Sequence, residues 1–326
     1  MCYKIEVQKK NEEKLNTKLD ELNLPIYMRK YFTVKIESKA GALNYLGVIT
    51  DLLNWFIEQK LINKSNISNI EPSDFNEVMA EDITLYLKTK EQNGMSPTTL
   101  ETRKNIIRSF WNYLSRVKGT EISDKFFDDV TYRGISSGSN LIKKFPTDQQ
   151  LKDMEKRILW KKDIPVRNRN IAIFDVLKGT GLRESELAGL DLSDLYLDED
   201  MPYITILGKG KYREAESRTV YLTNGAYHAL KNWLEYRKTI DNIVDSEAVF
   251  VNKNGKRTTE DNIKAIFKNY GNGITPHMMR HWYASIMASK GNLAFAQQQL
   301  GHTSMMTTIN NYANGSVGMR SVLKNM

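Results

Sequence analysis

The sequence predicts a mainly α-helical protein with a small β-sheet, divided into two domains. Apolar residues recur at three- and four-residue spacing up to about residue 130, which is typical of amphipathic helices. The stretch 133–140, RGISSGSN, is rich in Gly and Ser, as linkers are. Beyond it, helical patterns mix with two segments of alternating β-branched and aromatic residues. We therefore expect a helical domain over residues 1–140, a linker at about 133–146, and a mixed α/β domain over 147–326.

Local signals predict the helices of the first part. Apolar residues at helical spacing indicate a helix over residues 42–61. A second helix is expected to begin at Ser96-Pro97, an N-cap followed by proline at the first helical position. Residues 72–90 are also predicted to be helical, with Leu85 among the core residues.

The second part is predicted to contain both helices and a β-hairpin. Thr147, with Gln150 three residues on, has the pattern of a capping box and predicts a helix start. Helices are expected over 168–178 and 184–190, around a turn at 179–181. Segments 202–207 and 218–222 are predicted to pair as a hairpin, joined by a glycine-rich basic loop.

Composition excludes several classes of protein. With 40% hydrophobic and 26% charged residues, the chain is expected to be globular rather than disordered. It has no run of about 18 apolar residues, so no membrane span is expected, and its first residues lack the apolar segment of a secretory signal. Cys2 is the only cysteine, which excludes an intramolecular disulfide and a cysteine-based zinc site. These features predict a reducing, cytoplasmic setting.

The net charge of +8 favours a polyanionic partner. Lysine and arginine release condensed counterions when they neutralise phosphates, so nucleic acid is the simplest such partner. Many basic proteins bind no nucleic acid, and charge alone therefore leaves the partner open.

Two short patterns contain cations that suit phosphate chemistry. In TGLRESEL, Arg183 follows a tight turn, and Glu186 three residues later is placed to accept from it. In the loop GKGK, Lys209 is a candidate proton donor and Lys211 is its rival. Each pattern also has an ordinary explanation, a surface ion pair and a solvated hairpin tip respectively.

Two further patterns lie nearer the C-terminus. His277 and Arg280 in TPHMMRH occupy one face of a helix that opens at a proline, and together they suit a phosphate whose charge grows during reaction. His302 in LGH is followed ten residues later by Tyr312. A phenol, with a pKa near about 10, attacks only when cations stabilise its anion or a base removes its proton. Among 16 tyrosines most are packing residues, so Tyr312 depends on the whole set.

Taken in order, the four motifs TGLRESEL, ILGKGKYRE, TPHMMRH and LGHTSMMTTINNY resemble the tyrosine recombinase (phage integrase) family. The resemblance covers about residues 147–315, and the helical front half is similar to the core-binding domain of that family, although it has no diagnostic motif. The XerS-like recombinases of Gram-positive bacteria look like the nearest subgroup.

The resemblance implies a nucleophile and a phosphate clamp. Tyr312 would attack the scissile phosphate and leave a 3′-phosphotyrosine, while Arg183 and Arg280 would clamp that phosphate. Glu186 would support the arginine site. A lysine in place of either arginine would lose bidentate binding.

It also implies proton transfer without a metal or other cofactor. Lys209, favoured over Lys211 by the match to the GKG of the family, would protonate the leaving 5′-hydroxyl. His277 would assist proton transfer, and His302 would hydrogen-bond the phosphate. Two guanidiniums and a lysine replace the help of a metal, and the covalent intermediate conserves the energy of the broken bond, so neither metal nor ATP is expected.

The implied partner is double-stranded DNA with a specific recombination site. A homo-tetramer would bind two such sites and pass through a Holliday junction in integration, excision or dimer resolution, and accessory proteins remain an option. Candidate DNA contacts are Arg103, Lys104 and Arg108 on the helix that follows Ser96, together with Lys211. The segment after Tyr312 is expected to pack either on a neighbouring protomer or on its own domain.

Two alternative functions stay open. A type IB topoisomerase-like or hairpin-telomere-forming enzyme shares the nucleophile and the cations, but follows the TGLRxSEL and LGH motifs less closely. A DNA-binding regulator that has kept only the fold is the other alternative. The complete set of candidate catalytic residues argues against it.

Tyr312→Phe is expected to abolish covalent attachment to DNA while largely sparing binding, because only the attacking oxygen is removed. Denaturing gels of protein incubated with its DNA site measure attachment, and gel shifts measure binding. Covalent complex retained in this variant would falsify the assignment of Tyr312.

Overall fold

The computed structural model describes residues 3–132, 145–207, 217–290 and 293–301. Contacts between Cα atoms divide the chain into two compact units, Met1–Ser139 (unit 1) and Asn140–Met326 (unit 2). The predicted Gly/Ser linker lies largely outside the described residues.

Unit 1 is helical throughout its described part. Short 3-10 segments and one π-helical turn connect its helices. The helices are α1 (Tyr3–Glu21), α2 (Ile26–Lys30), α3 (Lys39–Glu58), α4 (Ala80–Gln92) and α5 (Pro97–Leu114).

Aromatic rings form the centre of the unit 1 core. Phe56 of α3 meets Trp111 of α5 edge-on, with ring centroids 6.1 Å apart. Phe75 contacts both Phe110 and Trp111, at 6.1 and 5.7 Å. Edge-to-face pairs of this kind add roughly 0.5–1.5 kcal/mol each to the stabilisation from burial. The apolar stripes of α3 and α5 therefore serve packing.

One predicted helix start in unit 1 is confirmed, and two predictions for this unit are corrected. The start at Ser96 is confirmed, since its side chain accepts a hydrogen bond from the Thr99 backbone. The predicted helix over 72–90 is broken, because Val78 and Met79 are extended between a 3-10 turn and α4. The prediction that Leu85 is in the core was wrong. It is 54% exposed, since it lies on the face of α4 opposite the buried residues.

Unit 2 packs seven described helices beside a small sheet. The capping box predicted at its start is confirmed: Thr147 Oγ1 accepts from Gln150 N at 3.2 Å, and Gln150 Oε1 accepts from Thr147 N at 2.9 Å. The helices are α6 (Asp148–Leu159), α7 (Ile164–Thr180), α8 (Glu184–Ala188), α9 (Asn224–Arg237), α10 (Glu260–Tyr270), α11 (Pro276–Ser289) and α12 (Leu293–Leu300).

The predicted hairpin is confirmed, and one strand was missed. Strands β2 (Tyr203–Leu207) and β3 (Ser217–Tyr221) pair antiparallel, and β1 (Leu195–Tyr196) adds to the other side of β2. A two-residue strand has no alternation that sequence could reveal. The loop 208–216 lies outside the described residues.

Helix α7 is the central helix of unit 2 and packs against α9, α11 and α6. Its apolar residues Ala172, Phe174 and Val176 are fully buried, as expected of a helix enclosed by its neighbours. Among the described residues, no helix has both the length and the apolar character to cross a membrane.

Ser96→Ala is expected to lower the free energy of unfolding by about 1 kcal/mol, because the first turn of α5 loses its cap. Urea denaturation of the full chain measures the change, with Thr98→Ala, an exposed residue of the same turn, as the control. Equal effects of the two substitutions would contradict the capping role.

Candidate active site

The turn after α7 places Arg183. Gly181 has a φ of +65° and ends the helix, and Thr180 Oγ1 accepts from the Leu182 backbone at 3.3 Å. A Cβ atom at Gly181 would lie 2.7 Å from the Tyr283 ring and 2.8 Å from Leu300. Only glycine combines this backbone conformation with this approach. Arg183 then stands as the N-cap residue of α8 at a defined position.

Glu186 anchors Arg183. Its Oε1 accepts from Arg183 Nη1 at 2.7 Å, and its Oε2 accepts from the Arg183 backbone N at 2.9 Å. The glutamate side chain is 9% exposed and that of Arg183 is 29% exposed. This contact fixes the arginine while leaving part of its side chain accessible.

Arg280 of α11 reaches the same carboxylate from the other side. Its Nη1 donates to the Gly181 carbonyl at 2.9 Å and lies 3.9 Å from Glu186 Oε2, while Nη2 donates to the Leu300 carbonyl. These bonds link α11 to the ends of α7 and α12.

A third guanidinium completes the cluster. Arg218 of β3 donates from Nη2 to Glu186 Oε2 at 2.9 Å and from Nε to the Gln299 carbonyl at 3.1 Å. Sequence reasoning missed this residue, although a signal existed. Ile204, Ile206 and Val220 define the buried face of the hairpin, and Arg218 lies on that face opposite Ile206. A cation on a buried face requires an anionic partner.

The charges of the cluster shift its pKa values. Burial alone would raise the pKa of Glu186, but hydrogen bonds and positive charge from Arg218 and Arg183 outweigh it and hold that pKa below its usual value. Burial, together with the positive charge of Arg183 and Arg218, lowers the pKa of Arg280 to about 10 despite the attraction of Glu186. Glu186 is therefore ionised and Arg280 protonated at neutral pH, so the carboxylate is negative among the guanidiniums that surround it.

His277 lies at the start of α11, on the same helix as Arg280. Its ring is exposed and meets that of His281 edge-on, with centroids 4.3 Å apart. His277 also borders a cavity of about 450 Å³, whose lining includes Lys264 and Lys268 of α10. The helix predicted at the proline is confirmed, and the cavity beside His277 is lined by these two lysines together with Glu184 and apolar residues.

Four predicted site residues, Lys209, Lys211, His302 and Tyr312, lie outside the described residues. The described residues end close to Lys209 and His302. Leu207 is two residues before Lys209, and Gly301 directly precedes His302. The structure therefore brings together Arg183, Glu186 and Arg280, and adds Arg218. The catalytic roles of all these residues stay predictions.

The predicted DNA contacts of unit 1 are engaged within the unit. Arg103 Nη1 donates to Asp51 at 2.7 Å, and Lys104 Nζ donates to the Tyr132 carbonyl at 2.7 Å. Arg108 is exposed, with its guanidinium 5.5 Å from the centroid of the Phe127 ring. The contact of these residues with DNA stays a prediction.

No three His, Cys, Asp or Glu side chains in the described parts of the chain lie close enough together to hold a metal ion. The arrangement that is present suits an anion instead. Fixed guanidiniums in a buried setting bind phosphate oxygens with defined geometry and strong electrostatics.

Known proteins share this sequence pattern. The model of the phage integrase family matches residues 148–317, more than half of the chain. The tyrosine recombinase XerC of Neisseria gonorrhoeae is 38% identical over 151 residues, which make up 44% of this chain and 47% of that protein. XerC of Escherichia coli is 27% identical over 70% of this chain and 74% of that protein. The chain thus spans about half the length of the Neisseria relatives.

Solved structures share the fold. The XerH site-specific recombinase, bound to a palindromic difH substrate, matches with a TM-score of 0.64 and 20% identity, over 88% of this chain and 80% of that one. The Tn1549 transposon integrase, in complex with transposon right end DNA, matches with a TM-score of 0.58 and 20% identity, over 92% and 98%.

Glu186→Gln is expected to make folding less sensitive to acid. Because the folded-state pKa of Glu186 lies below its ordinary value of about 4.5, its ionised form stabilises the fold above that pH. This contribution is lost as pH falls through the folded-state pKa. The variant should lose about 3 kcal/mol of unfolding free energy near neutral pH, and the gap to the wild type should narrow below about pH 4.5.

Urea denaturation across this pH range measures the effect. Glu235→Gln is the control, because its carboxylate pairs with Lys238 on the surface and is 66% exposed. A difference in unfolding free energy between Glu186→Gln and the wild type that stays constant with pH would contradict the ionised state of Glu186.

Proposed function

The chain belongs to the phage integrase family, and on that premise we propose that it is a site-specific DNA recombinase acting through a covalent 3′-phosphotyrosine at Tyr312. The observation that carries the proposal is the arginine pair: Arg183 lies 2.7 Å and Arg280 3.9 Å from the carboxylate of Glu186. Two motifs separated by almost a hundred residues thus converge on one anion-binding cluster.

The proposed cleavage step is a balanced transesterification. The Tyr312 Oη forms a bond to phosphorus while the bond from phosphorus to the 5′-oxygen breaks. The phenol proton leaves with help from His277, and Lys209 gives a proton to the departing 5′-oxygen. Attack by a 5′-hydroxyl on the phosphotyrosine reverses the step and joins strands, so the reaction needs no ATP.

The arginines supply electrostatic stabilisation. Negative charge on the phosphate increases in the pentacoordinate transition state, and Arg183 and Arg280 are held in place before it forms. Glu186 orients Arg183, and His302, directly after Gly301, would complete the phosphate contacts.

The hairpin supports Lys209 as the general acid. Its strands are paired up to Leu207 and from Ser217, so Lys209 and Lys211 belong to the segment that joins the central strand β2 to β3, the strand that carries Arg218. We favour Lys209 over Lys211 because it is nearer the fixed strand end.

We propose that unit 1 is a core-type DNA-binding domain and unit 2 the catalytic domain. The partner is duplex DNA bearing a recombination site in a bacterial cytoplasm, and four chains on two sites would complete the reaction. Among the unit 1 candidates, Arg108 is favoured because it is exposed, whereas Arg103 and Lys104 donate hydrogen bonds within the unit.

The test begins with selection of the DNA site. Duplexes from a random pool are enriched for binding to Tyr312→Phe, and the recovered sequence is synthesised with one nick at successive positions. Cleavage beside a nick releases a short oligonucleotide and traps the enzyme on DNA. The wild type is expected to accumulate an adduct that resists denaturation at one nick position on each strand.

Arg280→Lys is expected to slow adduct formation by on the order of 100-fold or more, because a lysine cannot make the bidentate hydrogen bonds of a guanidinium. Arg237→Lys is the control, a buried arginine whose bonds to Ala248 and Ser246 lie elsewhere in unit 2. Binding without any adduct would overturn the enzyme assignment and support a DNA-binding regulator. Relaxation of plasmids that lack the selected site would point to a topoisomerase instead.

A further inference from the structure

Arg218 lies where the hairpin meets the arginine cluster. It stands in β3 opposite Ile206, one pair inside the last described pair, Leu207 with Ser217. Lys209 follows Leu207 by two residues. The side chain of Arg218 is 14% exposed, so its charge must be compensated inside the protein.

Its guanidinium touches two other segments of the site. Nη2 donates to Glu186 Oε2 at 2.9 Å, and Nε donates to the Gln299 carbonyl at 3.1 Å. Gly301, with a φ of +61°, passes so close that a Cβ atom there would lie 3.1 Å from Nε and Cζ of Arg218. Arg218 thus joins the α8 turn, the hairpin and the end of α12.

The two oxygens of Glu186 are shared unequally among the three arginines. Oε1 accepts from Arg183 at 2.7 Å. Oε2 accepts from the Arg183 backbone N and from Arg218 Nη2, both at 2.9 Å, so both of its lone pairs are used. Arg280 stays 3.9 Å from that oxygen and bonds to the Gly181 and Leu300 carbonyls instead. Arg218 therefore occupies the oxygen that Arg280 would otherwise approach.

We propose that Arg218 is a positioning residue, which occupies Glu186 Oε2 and so keeps the charge and orientation of Arg183 and Arg280 available for the scissile phosphate. This inference rests on the proposed function. Without Arg218, the carboxylate draws Arg280 away from its carbonyl partners, and one positive charge of the clamp is neutralised.

The first test compares two DNA substrates with Arg218→Gln. One is the selected nicked duplex, and the other carries a methylphosphonate at the scissile position, which has one negative charge fewer. The adduct rate on the phosphate substrate is expected to fall by roughly 10- to 100-fold, with DNA affinity nearly unchanged. The loss on the methylphosphonate is expected to be clearly smaller, because a less charged transition state depends less on the clamp.

Two further variants separate positioning from folding. Arg218→Lys keeps the positive charge, but its single ammonium group cannot reproduce the guanidinium hydrogen bonds to both Glu186 and Gln299. We therefore expect an adduct rate between those of the wild type and Arg218→Gln. If Arg218→Gln does not fold, Arg218→Lys is compared on the same two substrates. Arg237→Gln is the matched control, and any loss it shows should be equal on both substrates. Equal losses on the two substrates in the Arg218 variants overturn the proposal.

A second measurement does not depend on cleavage. The Glu186 carboxyl is followed by carbon-13 NMR of protein labelled at glutamate, with Glu186→Gln to assign its signal. Its pKa is expected to be higher in the folded Arg218 variant than in the wild type, because the positive charge of Arg218 is lost. Arg280, which would take over the hydrogen bond, already lies within 4 Å in the wild type and so adds no new charge. An unchanged pKa overturns the proposal. If the wild type forms no adduct on any DNA, the proposed function fails, and this titration alone decides whether Arg218 holds Glu186.

Discussion

The arrangement of the site depends on one buried carboxylate. Three guanidiniums would repel one another in a partly buried space where water screens little. Glu186 makes their approach favourable, since it contacts Arg183 and Arg218 within 3 Å and Arg280 within 4 Å. The cluster keeps a net positive charge of two after Glu186 has neutralised one arginine. Under the proposed function that surplus attracts the phosphate, and the ionised carboxylate of Glu186 is what holds the three guanidiniums close together.

A backbone constraint brings the arginines to that carboxylate. Gly181 ends α7 in a left-handed conformation and lies against Tyr283 of α11 and Leu300 of α12. Its carbonyl accepts a hydrogen bond from Arg280. One glycine therefore determines both the direction of the turn that leads to Arg183 and the position of the Arg280 guanidinium. A side chain at this position would separate the three helices. The glycine of the TGLR motif is thus required by packing as much as by the turn.

Some of the lysines and arginines counted in the net charge are paired inside the folded protein. In unit 1, Asp51 accepts from Arg103 and Lys90 at 2.7 and 2.9 Å, and Tyr86 donates to the same carboxylate. These hydrogen bonds hold the pKa of Asp51 low against the effect of its burial, which would raise it. The net charge of +8 therefore says little about which cations are available to a partner. That choice depends on which of them folding leaves exposed, as with Arg108.

The sequence by itself determined the features that depend on near neighbours. The caps at Ser96 and Thr147, the hairpin, and the helix that opens before His277 involve groups at most a few residues apart, whose geometry local sterics and hydrogen bonds dictate. The ordered motifs determined the family as well. Only the tertiary structure decided the distant partnerships. Arg218 meets Glu186 across 32 residues and Arg280 meets Gly181 across 99. Such pairs are selected by how buried faces pack and by the need to compensate a buried charge, and no local spacing encodes either.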